Sequence, residues 1–359
     1  MNSIDCNNKL SSDLQYTYLR ECRLCPRSCG VNRLDGETGY CGQGRIIRAA
    51  RAALHFWEEP VLSGSSGSGA VFFSGCNLRC VFCQNHEIAI GDCGKEISID
   101  RLSDIFLDLQ SKGAHNINLV TGAPYIPHIR EALNLAKSNG LTLPIIYNSG
   151  GYESVDALKI LDGLIDIYLP DMKYYSSELS TRFSNAPDYF DRAKKAIAEM
   201  VRQVGEPVID SAAKPLIASA EESVISSLAA PAEESAMSPE NTSLSDASSP
   251  VDYNGEPLSL MKRGVIVRHL LLPGQTADSK KILRYLHETY GDKIYISIMN
   301  QYTPLTHVSD IPELNRRVSA EEYDRVVNFA IRLGIENAFI QEGDTAEESF
   351  IPAFDYEGI

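Results

Sequence analysis

The chain has 359 residues, 43% of them hydrophobic, a net charge of −15 and a pI near 5.0. That length builds one large α/β domain or two ordinary ones, and no run of about 18 apolar residues offers a membrane helix. The acidic balance argues against nucleic acid as a main partner, because backbone binding depends on Lys and Arg neutralising phosphates. Met1 to Asn8 is polar and lacks the basic-then-apolar layout of a signal peptide, so a cytoplasmic protein is expected.

The first feature along the chain is a cysteine-rich lead, Cys22, Cys25, Cys29 and Cys41. Four sulfurs in a short stretch containing Gly and Arg can close a complete tetrahedral shell. A structural zinc ribbon and an auxiliary iron–sulfur cluster both fit, and the spacing does not separate them. Arg23, Arg27 and Arg33 nearby favour thiolate over thiol, which helps either metal. Cys6 and Cys93 lie outside the clusters and are expected to be ordinary thiols.

From Ile46 to Val61 the chain reads as a connector carrying the single tryptophan, Trp57, and Ser63 to Gly69 as a flexible lead into a strand. Short apolar, β-branched-rich runs then recur: 70–73, 117–120, 143–147, 165–169, 264–271 and 294–298, with 336–341 as a seventh edge strand. Amphipathic helical patterns at 101–112, 126–139, 154–161, 279–290 and 320–333 separate most of them. This alternation predicts a parallel sheet with helical crossovers. Six βα units fall short of the eight that close a full barrel. The expected fold is therefore α/β, a partial TIM-like (β/α)6 barrel, with a doubly wound sheet as the alternative.

Asp210 to Asp252 breaks the pattern: it is rich in Ala, Ser, Pro and Glu, lacks aromatic residues, and supplies seven of the fifteen net negative charges. It reads as a disordered insertion. The expected organisation is a Cys-rich segment at 1–62, a core at 63–209, the insertion at 210–252, and the rest of the core at 253–359.

The stretch that demands chemistry is Cys76-Asn77-Leu78-Arg79-Cys80-Val81-Phe82-Cys83, directly after the apolar run 70–73. Three thiolates make an incomplete set for a four-iron cluster and leave one iron open. The C-x3-C-x2-C spacing, the aromatic Phe82 before the last cysteine and the βα repeat that follows resemble the cluster loop of radical S-adenosylmethionine (SAM) enzymes. The resemblance implies that Cys76, Cys80 and Cys83 hold a [4Fe-4S] cluster. Its open iron would take the amino and carboxylate groups of SAM, and its electron would release a 5′-deoxyadenosyl radical. Phe82 would pack near the adenine.

Within that superfamily the chain resembles the pyruvate formate-lyase activating enzyme and its relatives, which share a similar N-terminal cysteine-rich lead. The resemblance runs from Cys22 to the last strand, the insertion excluded. Thr121-Gly122-Ala123-Pro124 stands where the superfamily has Gly-Gly-Glu-Pro. Gly122 and Pro124 match, but Ala123 replaces the acid, so recognition of the methionine amino group falls to backbone carbonyls. Asn148-Ser149-Gly150-Gly151 resembles the Thr-Asn-Gly turn near the ribose, an ordinary Gly-rich turn being the alternative. Pro170-Asp171-Met172-Lys173 resembles Asp-Leu-Lys, whose Asp and Lys meet the cofactor. The strand carrying Arg268 and ending in Pro273-Gly274 resembles the activating enzymes' Arg-containing strand. Arg268 then either faces an anionic ligand or forms an internal salt bridge, because a buried unpaired Arg is costly; His269 would face the other way. Gln301 stands where a histidine is expected.

The resemblance implies an oxidoreductase that abstracts hydrogen, with a glycine of a partner glycyl radical enzyme or another protein as substrate and a flavodoxin- or ferredoxin-type reductant. Small-molecule or peptide chemistry with an auxiliary cluster at Cys22–Cys41 is the alternative. A non-catalytic metal-binding scaffold is a third.

Overall fold

The computed structural model describes residues 17–91, 93–210, 259–341 and 352–359. Cys6 and, Asp210 apart, the acidic insertion lie outside the described residues. The strands are β1 (Ile47–His55), β2 (Ser68–Phe73), β3 (Lys95–Ile97), β4 (Ile117–Val120), β5 (Ile145–Ser149), β6 (Ile167–Pro170), β7 (Val208–Ile209), β8 (Met261–Leu270), β9 (Tyr295–Met299) and β10 (Ala338–Ile340). They lie in the order β10-β9-β8-β6-β5-β4-β2-β1-β3, with β7 beside β8. From β2 to β10 along that path every pairing is parallel, while β1, β3 and β7 pair antiparallel.

From β2 to β10 the strand order never reverses, whereas a doubly wound sheet turns back at a switch point. The two edge strands do not meet. The architecture is thus an open barrel: six parallel strands, β2, β4, β5, β6, β8 and β9, with β10 added at the edge. β4, β5 and β6 are buried along their whole length, which is why they read as continuous apolar runs and not as alternations. Helices Ile99–Ser111, Ile126–Ser138, Val155–Ile160, Thr276–Tyr290 and Ala320–Leu333 supply the crossovers.

Three expectations are corrected. The stretch from Ile46 to Val61 is not a connector, because β1 occupies most of it. Ala49, Ala50, Ala52 and Ala53 are all buried, but alanine is depleted in strands, so only the pairing with β2 reveals them. The span between Ser63 and Gly69 begins at the end of a helical turn, Pro60–Ser63, and already contains the start of β2 at Ser68. Between β6 and β8, two further helices appear, Ser177–Ser184 and Tyr189–Val204. The second buries Tyr189, Ala193, Ala196, Ile197, Met200 and Val204, a helical stripe diluted by small residues.

The chain segment 352–359 returns to β1. Tyr356 donates its N–H to the Ala50 carbonyl at 3.1 Å and Ala52 donates to the Glu357 carbonyl at 2.8 Å. Arg51 pairs with Asp355 at 2.7 Å and with Glu357.

Candidate active site

β2 delivers the chain to the barrel mouth, and the cysteine loop is held there by backbone hydrogen bonds. Gly75 and Cys76 donate to the carbonyls of Ile88 and Ala89 at 2.7 and 3.0 Å, and Val81 donates to Phe183 at 2.9 Å. Cys76, Cys80 and Cys83 are free thiols and line one cavity of about 220 Å³. The same cavity is lined by Phe82, Asn148, Asp171, Lys173, Arg268 and Gln301. Residues scattered over more than two hundred positions thus meet at the ends of successive strands, where barrels of this kind carry their chemistry.

The polar side of the cavity is one connected network. Arg268 Nε donates to Asp171 Oδ1 at 3.0 Å, Nη1 to Glu58 Oε2 at 3.2 Å and Nη2 to Asn148 Oδ1 at 2.6 Å. Lys173 Nζ meets Asp171 Oδ2 at 2.5 Å. Asn118 and Asn148 donate to Glu58 Oε1 at 2.9 and 3.3 Å. Burial by itself would raise the Asp171 carboxyl, but Lys173 and Arg268 outweigh it and hold it below the usual carboxylate range. Burial raises the Glu58 carboxyl against the pull of Arg268. Burial would lower Lys173, yet Asp171 and the thiols of Cys80 and Cys83 hold its ammonium charged.

The thiols carry the opposite imbalance. Burial pushes Cys80 and Cys83 upward, their mutual proximity and Cys76 add to it, and Lys173 opposes it. Three thiols facing one cavity, Cys80 buried and Cys76 and Cys83 half-buried, with a single ammonium to offset them, form a donor set that bound iron would complete. No three His, Cys, Asp or Glu side chains among the described residues are gathered as around a single metal ion. A four-iron cluster does not require that, since each thiolate sits on its own iron. The residues therefore fit the cluster.

Phe82 is buried and packs edge-on to Tyr174 and Tyr302, with ring centroids 6.3 and 6.2 Å apart. Gly122 is outside the cavity lining, which takes Thr121 instead; its carbonyl accepts from Tyr125 at 2.9 Å. Arg268 lines the lumen and is paired there with Asp171 and Glu58, so the internal salt bridge is the alternative that the structure displays. His269 points away, held between the Met172 carbonyl and Ser279 Oγ, both at 2.8 Å. Gln301 lines the cavity, and its backbone carbonyl accepts from Gln84 at 3.0 Å. Glu58 is the site residue that sequence reasoning missed. It lies just past β1, in the stretch expected to be a connector, and no local pattern marks it.

The N-terminal quartet lies outside this cavity. Its cysteines are free thiols and close enough to act on one another. Burial pushes the Cys25 thiol up to about 12, with Cys41 and Cys29 adding to it. The Cys41 thiol is raised by burial, against Arg33 and together with Cys22 and Cys29. Of the three arginines expected beside these thiols, Arg23 turns away to pair with Glu21. Arg33 is buried and donates to the carbonyls of Gly44 and Pro124 at 2.8 and 2.6 Å.

Residues 70–210 match the model of the radical SAM superfamily. Over 336 residues, 91% of this chain and 79% of the relative, the sequence is 25% identical to the uncharacterized protein MJ0674 of Methanocaldococcus jannaschii. Among solved structures, methylornithine synthase (PylB) is similar at a TM-score of 0.42 and 12% identity, covering 74% of this chain and 60% of that one. The [FeFe]-hydrogenase maturase HydG of Carboxydothermus hydrogenoformans is similar at a TM-score of 0.44 and 11% identity, covering 79% of this chain and 56% of that one. The chain thus spans less than two thirds of the length of either structure. Residues 70–210 constitute a radical SAM superfamily domain, with the [4Fe-4S] cluster and SAM that this superfamily implies.

Proposed function

We infer that the chain is a radical SAM oxidoreductase in which Cys76, Cys80 and Cys83 carry the cluster and the Asp171, Lys173 and Arg268 network receives SAM. The supporting observation is that the three thiols and this network share one cavity at the strand ends. When bound, cluster and cofactor supply a low-potential electron and a sulfonium whose cleavage yields a hydrogen-abstracting radical. The chain's own work is to orient and to exclude water. Asp171 fixes Lys173 and Arg268 with two opposed oxygens, leaving the guanidinium braced by Glu58 and Asn148. Lys173 is the cation next to the thiols and offers charge-assisted hydrogen bonds to a carboxylate. Phe72, Leu78, Phe82, Ile88, Val120 and Met299 wall the cavity, which shields a radical from solvent.

The finer reading is that the hydrogen comes from a glycine of a partner glycyl radical enzyme, with a flavodoxin- or ferredoxin-type protein as reductant, in the cytoplasm. It rests on the resemblance of Asp171-Met172-Lys173, Arg268 and Pro273-Gly274 to the activating enzymes. Among the described residues no helix is long and apolar enough to cross a membrane. The Cys22–Cys41 quartet we read as a second metal centre; an iron–sulfur cluster, with each thiolate on its own iron, suits the spread of its thiols, whereas a single zinc would need them drawn together.

The test is anaerobic reconstitution with iron and sulfide, reduction in the presence of SAM, and measurement of 5′-deoxyadenosine. Wild-type protein should form it and Cys83→Ala should fall to the reagent background. An intact, reducible cluster that yields none would overturn the reading. A deuterated partner glycine that delivers no label to the product would remove the glycyl radical refinement alone.

A further inference from the structure

Ser184 ends the helix Ser177–Ser184 on the side facing the cysteine loop, and it is 1% exposed. Its Oγ donates to Cys80 Sγ at 2.9 Å, and the Tyr174 hydroxyl lies 2.6 Å from the same Oγ. A serine hydroxyl has one proton. If that proton points at the Cys80 sulfur, Tyr174 must be the donor to Ser184. The order is then Tyr174 to Ser184 to Cys80, with both hydroxyls buried and directed at one ligand sulfur.

The frame that holds Ser184 comes from the N-terminal lead. The chain turns through Asn185 in the left-handed region, at φ 47°, and the carbonyls at this helix end point to Arg27. Arg27 donates to Ser184 O at 3.1 Å and to Asn185 O, and its Nε donates to Asn77 O at 2.8 Å, inside the Cys76–Cys83 loop. Unsatisfied carbonyls at a helix C-terminus favour a cation. The guanidinium lies over the ring of Tyr40, 3.9 Å from its centroid, and the Tyr40 hydroxyl donates to Leu78 O at 3.1 Å. Arg27 sits between Cys25 and Cys29, and Tyr40 immediately precedes Cys41. Residues adjoining the quartet therefore grip both the cysteine loop and the turn that carries Ser184.

We propose that Ser184 is a positioning residue that raises the reduction potential of the cluster through its hydrogen bond to Cys80, and that Arg27 of the N-terminal lead fixes that bond. Hydrogen bonds to ligand sulfurs stabilise the more negative, reduced cluster and are one of the levers that set its potential. A structural function follows for the lead: it holds the electrostatic surroundings of the cluster in place. This inference rests on the assignment of the cluster to Cys76, Cys80 and Cys83.

The test is a one-electron potentiometric titration of reconstituted full-length protein, followed on the electron paramagnetic resonance signal that Cys83→Ala abolishes. Ser184→Ala, loaded with iron and sulfide to the wild-type level, should show about a tenfold lower ratio of reduced to oxidised cluster at a fixed potential, a shift of roughly 59 mV downward. Ser184→Thr should restore the wild-type value. Tyr174→Phe, which leaves the serine in place, should move the potential in the same direction by less. Arg27→Met should also lower it, while Arg23→Met, which removes an exposed guanidinium of the same lead, should not. An unchanged potential in Ser184→Ala overturns the proposal. If Ser184→Ala fails to load, an unchanged potential in Tyr174→Phe and Arg27→Met overturns it instead. A signal insensitive to SAM in the wild type would count against the proposed function, not against this hydrogen bond.

Discussion

Thr121 follows the second parallel strand, β4, with φ at 63°, a left-handed conformation that a β-branched residue adopts only at a cost. It lines the cavity, at the position where the superfamily motif begins with glycine. Strain of this kind costs roughly 1–3 kcal/mol, and a glycine would return about 0.5–1 kcal/mol of it as chain entropy. Thr121→Gly should therefore stabilise the protein by about 1 kcal/mol, read as a raised midpoint in urea. A lowered midpoint would mean that the threonine side chain makes contacts worth more than the strain. Past the end of β5, Gly151 has φ 76°, and a Cβ there would lie 2.0 Å from the Asp171 carbonyl oxygen. That turn needs its glycine, and this explains why Asn148-Ser149-Gly150-Gly151 was readable as a motif. Glu58 was not readable, since a glutamate after a strand end carries no mark of the guanidinium it meets 210 positions later.

Among the elements, the helix Ala320–Leu333 shows how local signals fix a boundary. Ser319 and Glu322 form a capping box, and Gly334 closes the far end in the left-handed region. The expected span therefore coincides with the observed one. Glu322 does more than cap: it takes Arg316 at 2.7 and 2.8 Å and the Gly274 N–H at 2.8 Å, tying the helix to the loop after β8. The Arg316 hydrogen bonds and the two backbone N–H groups hold its carboxyl down at about 2. A carboxyl depressed on folding contributes stability that is whole above its unfolded value, about 4.3, and is lost as pH falls through its folded value. Glu322→Gln, which can keep the capping bond but loses the charge facing Arg316 and the helix N-terminus, should cost about 1 kcal/mol at pH 6, and its gap from wild type should narrow by pH 3. Urea midpoints of the two proteins at both values check this, and an equal gap at both would refute it. The helix Ser177–Ser184 had a weak signal, because its buried face relies on Ser180 and Ser184 beside Phe183, and serine reads as neutral until a neighbour covers it; Tyr189–Val204 does carry a clear apolar stripe at helical spacing, so its sequence was legible.

At the level of the whole molecule, the acidic insertion enters and leaves the fold at adjacent points. Val208 and Ile209 pair antiparallel with Arg263 and Met261, Asp210 donates its N–H to the Leu260 carbonyl at 3.0 Å, and Asp210 meets Lys262 at 3.1 Å. Replacing 211–258 with a four-residue Gly-containing turn should leave the barrel folded and its iron content unchanged. The shorter closure should add about 2 kcal/mol of stability, seen as a higher thermal midpoint; a lower one would show that the segment packs on the fold. What the sequence determined by itself was everything written in short range: the cysteine spacing, the strand and helix periods, and the polar residues placed just past strand ends. Those follow from covalent spacing and from the two periods of backbone geometry. Only the tertiary structure decided the rest. β1 exists because β2 pairs with it, Glu58 joins the site because the lumen places Arg268 opposite it, and Ser184 reaches Cys80 because Arg27 holds its turn. Each of these depends on contacts between residues far apart in the chain, and no local pattern encodes them. The loop from Cys76 to Cys83 is legible as a cluster loop from its spacing, but its electrostatic surroundings belong to the fold.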